Sequence, residues 1–172
     1  MTTAPPAAAL LAVPFRAPMP WTYHDGGRAA AGYRGQAGDC VCRAIAIAAG
    51  LGYQEVYGRL NELGRAERIT KRNKTRSTAR NGVGKRAVRK MITGDFGWRW
   101  TPTMGIGTGT TVHLAAGELP GGTLIVQASR HVTAVIDGTV YDTHDPGRDG
   151  TRCVYGFWQP PGAEPWTWVS PR

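Results

Sequence analysis

The chain predicts an α+β fold in which a helical N-terminal half packs on a C-terminal antiparallel sheet. Three observations carry this expectation. The run from Cys40 to Ala49 is small, apolar and unbroken; Val56, Leu60 and Leu63 recur at helical spacing; and from Thr123 onward short β-branched or aromatic runs are each bounded by Gly, Pro or Asp. With 172 residues, 41% of them hydrophobic, and six Trp and six Tyr, there is apolar surface for one core, so a second full domain is not expected.

The elements follow in order. Residues 1–20 are rich in Ala and Pro and read as a flexible arm outside the core, leaving 21–172 as the single domain. The apolar run Ala7 to Val13 has no basic leader and stops at Pro14, which argues against a signal peptide and a membrane span. Trp21 to Gly38 is glycine-punctuated and predicts a loop. Asp39 then reads as an N-cap, Cys40 to Ala49 as a buried helix, and Gly50 as its left-handed C-terminal cap. Tyr53 to Leu63 predicts a second, amphipathic helix. Arg65 to Asn81 lacks periodicity and predicts a mobile basic loop, after which Val83 to Ile92 predicts a basic helix with Val83, Ala87 and Met91 on one side. Trp98 to Pro102 alternates like a strand, and Met104 to Thr111 is a Gly and Thr loop. Thr123 to Gln127, His131 to Ile136, Thr139 to Thr143 and Val154 to Gln159 complete the expected strands.

Candidate chemistry begins with the thiols. Three cysteines, odd in number and without metal-type spacing, fit a reducing compartment rather than a disulfide framework. Cys40 stands where a helix begins, and the unpaired N–H groups and partial positive charge there favour a thiolate. Its own N–H would serve as an oxyanion donor, and Gln36 is the candidate for the second donor. Cys42 lies about 200° further around the helix, so the two thiols cannot face one cleft. A plain reading of both cysteines as small core residues stands beside the catalytic one.

The base is expected from a hairpin. Asp137-Gly138 between β-branched runs is a type I′ turn signal, which sets Ile136 against Thr139, Val135 against Val140 and His131 against His144. His131, Thr133, Val140, Asp142 and His144 then share one face, with Asp142 diagonal to His131. A carboxylate so placed orients the imidazole while its other nitrogen faces the thiol. His144 is the rival base.

These segments, GDCVCRAIAIAAGLGYQEVY and HVTAVIDGTVYDTHDPGRDGTRCVYGFW, resemble small papain-like cysteine peptidase domains encoded by tailed bacteriophages, over about residues 35–158. In that family the order is Gln, Cys, His, then Asn or Asp, matched here by Gln36, Cys40, His131 and Asp142. The resemblance implies a papain-like fold, a thiol peptidase or isopeptidase working through a thioester, no metal or cofactor, a polypeptide substrate and the cytoplasm of a bacterial host. The Gln stands closer to the Cys than in papain itself. A same-fold deamidase or transglutaminase-like acyltransferase starts from the same thioester.

Charge is the last signal. Eleven of the 21 basic residues lie between Arg65 and Lys90, opposed there only by Glu67. Arg65, Lys71, Arg72, Lys74, Arg76, Lys85 and Arg86 are thus the expected contacts for an acidic partner or nucleic acid, and they suggest a rival, non-enzymatic reading as a basic binding protein. No aromatic residue interleaves with them, so the stretch predicts electrostatic rather than base-stacking recognition.

Overall fold

The computed structural model of the chain describes residues 16–71, 74–105, 107, 109 and 111–167. Helix α1 (Cys40–Ala49) has the predicted bounds and ends on Gly50 at φ 65°, the conformation that a glycine adopts without a Cβ clash. Helix α2 (Tyr53–Arg65) buries Tyr53, Val56 and Leu60, the stripe expected from its periodicity. The third helix differs from the single predicted one. A short α3 (Lys85–Arg89) runs on into a π-helical segment, Lys90–Asp95, closed by Phe96 N–H donating to the Met91 carbonyl at 3.1 Å. Met91 and Ile92 of this wider turn are both buried, in the core that α1 and α2 also line.

Six strands form one sheet: β1 (Trp21–Tyr23), β2 (Arg99–Pro102), β3 (Thr123–Ala128), β4 (His131–Ile136), β5 (Thr139–Asp142) and β6 (Val154–Gln159), in the order β1-β5-β4-β3-β6-β2. The fold is α+β as expected, but the sheet is mixed rather than antiparallel, because β1 pairs parallel to β5. All three residues of β1 are exposed, so the segment has no in-out alternation for a sequence reading to detect. Alternation along the central strands sends Ile125, Val132 and Trp158 into a core shared with α1, α2 and the π-helical segment. Leu124, Val126, Val135, Val140 and Phe157 enter a second core, which Met19, Val112 and Leu114 complete.

Two segments expected to be loose are tied down. Residues 1–15 of the arm lie outside the described residues, but its end is docked: Met19 is buried, Pro18 bridges Ala115, and Arg16 Nε donates to Glu118 at 2.8 Å. In the basic loop, Glu67 accepts hydrogen bonds from the Ser77 N–H at 2.9 Å and the Ser77 hydroxyl at 2.7 Å, while the Ala79 N–H donates to the Asn61 side chain at 2.9 Å. The one acidic residue of that stretch therefore closes the loop on itself. No helix among the described residues is long and apolar enough to cross a membrane.

Trp100 packs against Gly156 across the β2–β6 pair, and a Cβ at Gly156 would lie 2.3 Å from the Trp100 ring and 2.7 Å from the Thr101 carbonyl. Gly156→Ala is expected to destabilise the protein by about 1–3 kcal/mol, as overpacking does, measured as a lower urea midpoint at unchanged slope.

Candidate active site

Three elements converge at one end of the sheet. Cys40 opens α1, His131 opens β4 and Asp142 closes β5. The β4–β5 turn has Asp137 at φ 47° and Gly138 at φ 75°, both positive as a type I′ turn requires, and Val135 pairs with Val140 and Ile136 with Thr139 as the turn predicts. The register carries the acid to the imidazole: His131 Nε2 donates to Asp142 Oδ2 at 2.7 Å. With Nε2 so engaged, Nδ1 is the nitrogen left for the thiol, and Cys40 and His131 stand on the same cleft wall, near enough for each to shift the other's charge.

The charges follow from these contacts. Burial pushes the Cys40 thiol up, but the hydrogen bond and charge of His131, the Val132 N–H and the Arg43 guanidinium outweigh it and bring it below its ordinary value. Burial works against the His131 imidazolium as well, yet Asp142 and Cys40 raise His131 from 6.5 to about 9. Asp142 is buried too and is nonetheless held below the usual carboxylate range by His131 and the Thr143 N–H, the latter at 2.7 Å from Oδ1. The arrangement shifts the thiol down and the imidazole up, the direction in which a thiolate–imidazolium pair forms.

Behind the triad lies a group that the sequence reading did not find. Asp39 makes no capping hydrogen bond with its side chain; instead it is fully buried, accepting from Arg43 Nη1 and from the Tyr53 hydroxyl at 2.6 Å, with Arg28 Nε 2.9 Å away. Arg43 Nη2 also reaches Asp142 Oδ1 at 3.5 Å. One buried guanidinium thus stands between two buried carboxylates, which compensates charges that would otherwise be costly to desolvate. The i,i+4 spacing of Asp39 and Arg43 was a legible signal for this pair.

The other predicted residues divide clearly. Cys42 is buried with its Sγ 3.8 Å from the Tyr53 carbonyl oxygen, and burial and Asp39 push its thiol up to about 12, so it is no nucleophile at neutral pH. His144 is exposed, its ring centroid 5.1 Å from that of His131, and it lacks the carboxylate contact that His131 makes. Gln36 is not brought to the site. It is exposed and absent from the cleft lining, because Arg80 Nη2 holds its carbonyl at 3.2 Å while the Gly38 N–H donates to the Arg80 carbonyl at 2.7 Å, clamping the loop ahead of Cys40.

Cys40 and His131 line a cleft of about 1540 Å³, whose walls include Lys85, Arg86, Trp100 and Tyr155. Of the expected basic contacts, Lys85 and Arg86 reach this cleft, whereas Arg65, Lys71, Lys74 and Arg76 do not; Arg72 lies outside the described residues. No group of three or more His, Cys, Asp or Glu among the described residues is arranged to hold a metal ion. The chain matches no family model, and comparison with curated proteins and with solved structures finds no significant relative.

Two predictions follow from the ion pair. Alkylation of native protein by iodoacetamide should modify Cys40 with a midpoint below the ordinary thiol value of 9.0 and leave Cys42 untouched, with Asp142→Asn moving the Cys40 midpoint upward; peptide mass mapping across pH reads both. In stability, His131 is raised from 6.5 to about 9, so its contribution is complete below pH 6.5 and disappears as pH rises through 9. Denaturant unfolding of wild type against His131→Ala over that window should show the difference narrowing as pH rises.

Proposed function

We propose that this chain is a papain-like cysteine hydrolase of the phage-encoded kind, cleaving peptide or isopeptide bonds with Cys40, His131 and Asp142. The observation that carries the reading is the hydrogen bond from His131 to Asp142 beside Cys40, with His131 and Cys40 lining one open cleft and shifting each other's charge. The cleft also exceeds the ~300–1,000 Å³ of small-molecule sites, which favours a polymeric substrate.

The Cys40 thiolate attacks the amide carbonyl carbon, forming a C–S bond and an oxyanion. The Cys40 N–H, in the first turn of α1 where no helical acceptor exists, is placed to bind that oxyanion. As the intermediate collapses the C–N bond breaks, and the His131 imidazolium gives its proton to the departing amine. Water then attacks the thioester and loses a proton to His131; the C–S bond breaks, releasing a carboxylic acid and restoring the thiolate–imidazolium pair. Asp142 keeps the imidazole oriented and its cation stabilised in both halves.

Labelling with a peptidyl acyloxymethyl ketone, read by intact mass, should place one adduct on Cys40 and none in His131→Ala. Incubation with a bacterial lysate followed by mass spectrometry of N-termini should reveal new termini that Cys40→Ala does not generate. Cleavage of such a substrate should fall at acid pH as the thiolate is protonated and again above about pH 9 as His131 loses its proton. Asp142→Asn should lower kcat/KM by ~10²-fold or more. Cys40-dependent Gln or Asn deamidation, or cross-linking, without new termini would reassign the reaction; a Cys40 no more reactive than a free thiol would remove the enzyme reading altogether.

A further inference from the structure

Resting on that reading, we infer that the cleft accepts an acidic polypeptide segment, held by Lys85, Arg86 and Arg89 of α3 and by Arg130 of the β3–β4 turn. These four side chains line the same cleft as Cys40 and His131, and no Asp or Glu lines it among the described residues. All four residues are exposed, and among the described residues none of the four is in an ion pair. Arg43, the other cation of the lining, is already committed to Asp39 and Asp142. A cleft lined by exposed cations from two elements, with its nucleophile in the same lining, repels basic chains and concentrates carboxylates near the reacting atom.

Two observations favour a polypeptide over a nucleic acid. The nucleophile is a thiolate, whose thioester chemistry needs an acyl carbon that a phosphodiester does not offer. Of the three lining aromatics, Trp158 is closed to base stacking: it is 2% exposed, its Nε1 donates to the Thr93 hydroxyl at 3.1 Å, and its ring lies against the half-buried Trp100 with centroids 4.3 Å apart.

The test reads occupancy at the sulfur itself. Iodoacetamide is uncharged, so its rate with Cys40 reports access and thiolate content without being steered by the cations. The probes are a Glu/Gly peptide, a Lys/Gly peptide and a Ser/Gly peptide of equal length, and an oligothymidylate carrying the same charge as the Glu/Gly peptide. The Glu/Gly peptide should slow Cys40 alkylation, about tenfold when present at ten times its Kd, and the protection should fade with added salt. Lys85→Glu/Arg86→Glu/Arg89→Glu, and independently Arg130→Glu, should lose that protection relative to each variant's own unprotected rate, with far-UV circular dichroism checking the fold.

Protection by the oligothymidylate but not by the Glu/Gly peptide, equal protection by the Ser/Gly or Lys/Gly peptide, or protection that survives both sets of substitutions overturns the proposal. Failure of the hydrolase reading would look different: Cys40 would alkylate without activation before any peptide is added.

Discussion

The hydrogen bond from His131 Nε2 to Asp142 Oδ2 is the contact on which the rest of the site depends. It fixes which imidazole nitrogen is turned toward the sulfur, and it keeps the ring cationic against a burial that would strip its proton. The cation in turn draws the Cys40 thiol below its ordinary value. Without the carboxylate both shifts shrink, and Val132, Arg43 and the helix start are left as the remaining contributions to the thiol.

That bond is itself the product of a turn. A two-residue connection with both residues at positive φ leaves one register for the hairpin, and a slip by one residue would send Asp142 to the opposite face from His131. Asp142 is then fixed from three directions, by His131, by the Thr143 N–H and by Arg43, while its carbonyl accepts from the His24 N–H at 2.9 Å next to β1. The parallel strand that makes the sheet mixed thus steadies the backbone of the acid.

What could be read from the amino-acid order, and what could not, follows from the range of each interaction. The bounds of α1, its Gly50 cap and the β4–β5 register are local, decided by periodicity or by two adjacent residues, and all were legible. The pairing of His131 with Asp142 was legible for the same reason, since the hairpin makes it local. Asp39 looked like a cap because capping is judged from neighbours in the chain; its actual partners Arg28 and Tyr53 come from a loop and another helix. Gln36 has the right residue type near the right place, but Arg80, far along the chain, decides where its loop points. The π-helical widening at Met91 and Ile92 departs from the 3.6-residue period, and the apolar pattern alone does not announce it.

The clamp that Arg80 places on residues 36–38 bears on when the Cys40 thiol acquires its surroundings. Before folding, the sulfur of residue 40 has neither the imidazole nor the Val132 amide beside it, and it behaves as any cysteine in a random coil. It gains its potency only when the hairpin has closed, α1 has formed and the loop around residue 80 has seated the lead-in to that helix. The lowered thiol is therefore a property of the finished structure, and its sharpening is a built-in report that assembly is complete.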